Sequence, residues 1–134
     1  MNKTFEVEFR EDHVYVLLGP DYEVTPQQED EFWAAIEEAC KKFNSSRVLV
    51  EGYVPKRQLE PVDVVQSGVR AAVVPKLWFA LCLKDFEPTE LSELFKTVAA
   101  SRGVHVKFFS GSEKALNWLR SNSPDQSWQE SSLF

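Results

Sequence analysis

The sequence predicts an α/β domain built on a mostly parallel sheet with one antiparallel strand at its edge. Three observations lead there. Short apolar runs alternate along the chain with longer stretches of helical spacing, in the order β-β-α-β-α-β-α-β-α, which is the pattern of parallel strands joined by right-handed crossovers. The first two runs are separated only by the polar turn Arg10–His13, so they read as a hairpin. The chain has 134 residues, 43% of them hydrophobic and 13% aromatic. That is enough for one domain with a core of its own and too little for two.

Phe5, Val7 and Phe9 alternate with Thr4, Glu6 and Glu8, the period of a half-buried strand. Val14 to Leu18 follows as the second strand, with Tyr15 facing outward from Val14 and Val16, and Gly19-Pro20-Asp21 ends it. The first helix is the best-marked element. Thr25 suits the N-cap, Pro26 the first helical position, and Gln28 the reciprocal place in a capping box. Glu29, Asp30 and Glu31 lie near the positive end of the helix dipole, Lys41 and Lys42 near the negative end. Phe32, Ile36, Ala39, Cys40 and Phe43 make its expected buried face, with Trp33 beside it.

Arg47 to Val50 reads as a short strand ended by Glu51 and Gly52. Tyr53 to Leu59 reads as a loop. Pro61 opens a second helix whose Val62, Val65, Val69 and Val73 are expected to face the core. Leu77 to Leu83 is apolar throughout and suits a central strand covered on both faces. Pro88 starts a third helix with the stripe Leu91, Leu94, Phe95 and Val98, and Gly103 stops it. Val104, Val106 and Phe108 alternate with His105 and Lys107 in the last strand. Ser110 and Glu113 have capping-box spacing for a fourth helix, with Ala115, Leu116 and Leu119 inward. Residues 1–121 are thus expected to form one domain and residues 122–134 a polar, serine-rich tail carrying Trp128 and ending in Leu133-Phe134.

Charge and composition exclude several function classes. A formal net charge of −6 argues against a general binder of nucleic acid or of anionic membranes, both of which need a basic surface. The longest apolar run, Leu77–Leu83, is far short of the roughly 20 residues that span a bilayer. The N-terminal residues show no secretory pattern. Cys40 and Cys82 lie in apolar contexts without CxxC spacing, and read as buried free thiols in a reducing compartment. A cytoplasmic protein without cofactor or metal is expected. No P-loop, GxGxxG or GxSxG is present, and neither His13 nor His105 has a partner at motif spacing.

The closing segment Phe109-Ser110-Gly111-Ser112-Glu113-Lys114-Ala115-Leu116-Asn117-Trp118-Leu119, set after this order of elements, resembles the SpoIIAA-like, or STAS, family over roughly residues 3–121. The resemblance implies successive β-α turns wound as a right-handed superhelix, and a binding or regulatory role rather than catalysis. In the anti-sigma-antagonist branch a serine opening the second helix is the phosphorylation switch, in a motif near Asp-Ser-Ser-Gly. Here that stretch reads Glu51-Gly52-Tyr53-Val54-Pro55-Lys56-Arg57-Gln58-Leu59, and no serine or threonine lies between Ser46 and Ser67. The switch mechanism does not carry over. The broader group is related in fold to SEC14-type lipid carriers.

In open α/β sheets, ligands bind beyond the carboxyl ends of the parallel strands. Those ends carry Glu51 and Tyr53, Lys84 and Asp85, and Ser110 and Ser112, with Lys56 and Arg57 in the adjoining loop. Free N–H groups near Ser110-Gly111-Ser112 would suit an anion. A receiver domain would need an acidic pair after an early strand and a lysine closing the last one, and the chain has neither. The leading expectation is a non-catalytic module that engages a protein partner or a small ligand at these residues. The exposed aromatics leave self-association open. Two alternatives stand beside it. One is a small enzyme using Glu51 or Asp85 as general base near Lys84. The other is a carrier of an apolar molecule, which requires a cavity between sheet and helices. The Leu77–Leu83 strand fits a solid core at least as well as such a cavity.

Overall fold

The computed structural model describes residues 4–55 and 59–122. It has nine elements in the expected order: β1 (Phe5–Arg10), β2 (His13–Leu18), α1 (Pro26–Phe43), β3 (Arg47–Tyr53), α2 (Pro61–Ala71), β4 (Trp78–Lys84), α3 (Glu90–Ser101), β5 (His105–Phe108) and α4 (Ser112–Ser121). The strands lie in one sheet in chain order, β1-β2-β3-β4-β5. β1 and β2 pair antiparallel and the remaining pairs are parallel. From Trp128 to the terminal Leu133-Phe134, the expected tail lies outside the described residues.

A sheet that adds each parallel strand on the same side, with every crossover right-handed, must place all the crossover helices on one face. α1, α2 and α3 accordingly share a single core with the inward residues Val14, Val16, Val48, Val50, Phe79 and Leu81. Among the described helices, only α4, which follows the last strand, lies on the other face. Its Ala115 and Leu119 cover Tyr15, Leu49 and Ala80.

Local signals explain most boundaries. The Thr25 side chain accepts the Gln28 N–H and Pro26 occupies the first turn of α1, as expected. The return half of that capping box differs: the Gln28 carbonyl accepts the Glu23 N–H, outside the helix. α3 starts after Pro88, with Thr89 as its cap in reciprocal hydrogen bonds with Ser92. Gly103, at φ 84°, turns the chain after α3 in the left-handed region.

Several expectations are corrected. β3 does not stop at Val50 but runs on through Glu51 and Gly52 to Tyr53. Gly52 continues the strand at φ 132°, where a Cβ would sit 2.1 Å from the Leu18 carbonyl oxygen. A glycine here lets β2 and β3 stay paired, so the residue read as a breaker is a close-approach residue. The valine face of α2 is also reversed. Val64, Gly68 and Ala71 are buried, while Val62, Val65, Val69 and Val73 are exposed. The capping box expected from Ser110 and Glu113 does not form, because α4 begins one residue later with Gly111 at its N-cap and no side-chain cap. Trp33 is buried rather than beside the buried face, and Phe43 is exposed. Tyr15 does point away from Val14 and Val16, yet it is buried, under α4 and with the Arg10 guanidinium 3.6 Å from its ring centre.

Candidate functional site

At the carboxyl ends of the parallel strands, between the sheet and α1–α3, lies a cavity of about 300 Å³. Its floor is apolar and buried: Leu18, Phe32, Trp33, Phe79, Leu81 and Phe95. Its rim carries the exposed Val54, Asp85, Glu87 and Thr89. The cavity follows from how the layers are built. β4 presents Phe79, Leu81 and Leu83 to the helices in alternate positions. The segments Tyr22–Val24 and Asp85–Thr89 pass over the strand ends and line the opening without filling it.

Buried polar residues also line this cavity: Ser92, whose hydroxyl is held by Thr89, and Glu29. Glu29, in the first turn of α1, is 3% exposed. Its carboxylate accepts a hydrogen bond from the Tyr22 hydroxyl and a longer one, 3.4 Å, from the Trp33 indole N–H. Tyr22 is itself buried against Phe5 and Phe32. Burial, and then the Glu29 charge, push the Tyr22 hydroxyl pKa well above the ordinary phenol range, so it stays a donor.

The residues that the sequence marked as a site are divided by the sheet. Asp85, in a left-handed turn just after β4 (φ 60°), is on the cavity rim. Glu51, Tyr53 and Lys84 lie on the opposite face, the α4 side, because their positions alternate with those of Val50, Gly52 and Leu83. There the register pairs Tyr53 with Lys84, whose ammonium is 5.9 Å from the Tyr53 ring centre. Glu51 sits beside Tyr15 and Cys82. Burial, helped by the Glu51 charge, pushes the Tyr15 hydroxyl up to about 12. The same two causes raise the Cys82 thiol, while burial alone takes Cys40 up to about 12. Neither thiol is a ready nucleophile. Cys40 is buried and Cys82 half-buried, both unpaired.

Ser110 and Ser112 are exposed at the start of α4. Lys56 and Arg57 lie outside the described residues. The six described positions are therefore not brought together in one polar pocket: Asp85 lies on the cavity rim and Glu51, Tyr53 and Lys84 on the other face of the sheet. Among the described residues no cluster of His, Cys, Asp or Glu is placed to hold a metal ion. None of the helices there is long and apolar enough to cross a membrane.

Sequence reading missed Glu29, Tyr22 and Trp33. A signal was present: 29, 32, 33, 36 and 40 fall on one helical stripe, and Glu29 is its only charged member. An acid within an apolar stripe is the unusual observation, but next to Asp30 and Glu31 it reads as one more helix-dipole charge.

The opposite end of the sheet is polar. Asp12, in the β1–β2 turn, accepts His13 Nδ1 at 2.9 Å, Arg120 Nε at 3.1 Å and an Arg47 guanidinium nitrogen at 3.4 Å. This carboxylate joins the hairpin to β3 and to the last turn of α4. His13, read as part of the turn, is the buried first residue of β2. His105 is exposed and stacks on Trp78.

Comparison with known proteins finds no family model that matches the chain, and no curated protein or solved structure that matches it.

Proposed function

We propose that this protein binds an apolar small molecule in the cavity at the carboxyl ends of β2, β3 and β4, and acts as a carrier or sensor of that molecule rather than as a catalyst. The observation that carries the reading is the cavity itself. The site is a cleft that opens to solvent at the strand ends and narrows onto a buried apolar floor. A space of about 300 Å³, floored by aromatic and aliphatic side chains, has the size and lining of a small-molecule site. Its place beyond the strand ends is where open α/β sheets hold ligands. The resemblance to SpoIIAA-like domains, with their fold relation to lipid carriers, points the same way.

Native mass spectrometry of protein purified without detergent tests it, run beside a Leu83→Trp variant. Leu83 is half-buried on the cavity wall, so a tryptophan there fills the space without opening the sheet. The wild-type protein is expected to carry a small adduct that denaturation releases, and the variant, folded by circular dichroism, to carry none. An adduct of equal occupancy in both proteins would place the ligand elsewhere. A wild-type protein that stays free of adduct and takes up no added apolar probe ends the carrier reading.

A further inference from the structure

We propose that the molecule bound in the cavity has a hydrogen-bond-donating end, a hydroxyl or an ammonium, and that this end is seated on the Glu29 carboxylate. The inference rests on the cavity reading above and sharpens it from an apolar ligand to one of defined polarity.

Glu29 is an acid in a place that apolar packing alone would not choose. A buried carboxylate is costly unless its lone pairs are satisfied. An ionised carboxylate offers about four acceptor positions, and the Tyr22 hydroxyl and the Trp33 N–H take two of them. No described cation pairs with Glu29. Arg70 on α2, whose charge acts on Tyr22, gives its Nε to the exposed Asp30 at 2.9 Å. No hydrogen bond joins Glu29 to the other hydroxyls that line the cavity, Ser67, Thr89 and Ser92, and Ser92 gives its proton to the Thr89 carbonyl. A ligand that supplies a donor gains a charge-assisted hydrogen bond in a water-poor site, where such bonds are about twice as strong as neutral ones. A pure hydrocarbon would shut water away from Glu29 without replacing it, and a carboxylate ligand would set like charges together.

Size narrows the class further. A volume of about 300 Å³ stands at the small end of the range of small-molecule sites. That suits a short-chain or single-ring alcohol or amine, or the end of a longer molecule whose remainder passes the rim at Val54 and Thr89.

Four probes share one phenylethyl body and differ only at its end: propylbenzene, phenethyl alcohol, phenethylamine and hydrocinnamate. Isothermal titration of the full chain with each, up to its solubility limit, separates the possibilities. The alcohol or the amine is expected to bind at least tenfold more tightly than propylbenzene, with hydrocinnamate weakest. Preference for the alcohol assigns a neutral head, preference for the amine a cationic one. In a Glu29→Gln variant the advantage of the amine is expected to vanish and the penalty on hydrocinnamate to shrink. The wild-type series stands even if that variant folds poorly. Equal affinity for propylbenzene, alcohol and amine overturns the polar-end inference and leaves the cavity reading intact, as does tightest binding of hydrocinnamate. An amine preference that survives unchanged in a folded Glu29→Gln variant, or an alcohol preference that survives unchanged in a folded Glu29→Leu variant, which has no acceptor there, overturns the seat on Glu29. Failure of all four probes to bind counts against the cavity reading itself.

Discussion

The two faces of the sheet are packed in different ways. On one, three helices lie over large side chains and leave a cavity at the strand ends, with a buried acid in its floor. On the other, the single short helix α4 sets Ala115 and Leu119 against Tyr15, Leu49 and Ala80 and closes over them. The first face buries the larger core and still leaves a space at the strand ends. The second has one helix to anchor, and adds aromatic contacts and ion pairs at its edge. Trp118 meets Trp78 edge-on with ring centres 5.3 Å apart, and Arg120 reaches Asp12. The difference teaches that function and anchorage are divided between the two faces, and truncation on each should cost differently.

The largest effect should come from Leu119→Ala. Leu119 is fully buried on the α4 face, where little else can move in to fill the space, so the loss is expected near 3 kcal/mol. Leu81→Ala removes the same atoms from the cavity wall. There the truncation enlarges a space that already exists, and the expected loss is smaller, about 2 kcal/mol. Urea unfolding of both variants, analysed at a common m-value, measures the gap. Equal losses would mean that the two faces are packed alike and that the cavity wall is held as tightly as the rest of the core.

Asp12 sets the next effect. Burial raises its pKa, but the hydrogen bonds from His13 and Arg120 and their charges outweigh burial and hold the carboxyl below its ordinary value of 3.8. A carboxyl whose folded pKa is depressed stabilises the protein fully above 3.8, and that contribution is lost as pH falls from there through the folded value. Asp12→Asn should therefore cost about 1 kcal/mol at neutral pH, and the gap from wild type should close as the pH is lowered below 3.8. Thermal melts across that range check it. A gap that stays constant with pH would mean that the tie between hairpin and α4 does not depend on the Asp12 charge.

Much of the fold was legible in the sequence, because its signals are local. Thr25-Pro26 opens α1, the apolar run from Leu77 makes β4, an interior strand of the sheet, and the turn at Glu11-Asp12 makes the hairpin. What was not legible depends on the approach of distant segments. Gly52 looks like a strand breaker until the Leu18 backbone is placed against it. The polar residues at the strand ends look like one pocket until the alternation of β3 and β4 sends Glu51, Tyr53 and Lys84 to one face and leaves the cavity on the other. Glu29 looks like a surface charge until Tyr22 and Trp33 are found to hold it inside.

Helix α2 is the sharpest case. Its valines at 62, 65 and 69, with Val73 just past its end, mark one face as the more hydrophobic, and these four side chains are exposed. The buried face carries Gly68 and Ala71 because α2 lies close to α3: a Cβ on Gly68 would come within 2.7 Å of Val98 Cγ1. Where two helix backbones approach closely, small residues win the interior even though they score as less apolar. This gives the smallest of the expected effects. Val62, 58% exposed, gains little from burial in the folded chain, and lysine has a somewhat higher helix propensity than valine. Val62→Lys should leave stability within about 0.5 kcal/mol of wild type. Had the valine face been the packed one, the same substitution would bury an unpaired ammonium and unfold the helix. A loss of several kcal/mol in urea unfolding would therefore rotate α2 and reassign the three-helix core, whereas a near-zero change supports a core closed by Gly68 and Ala71.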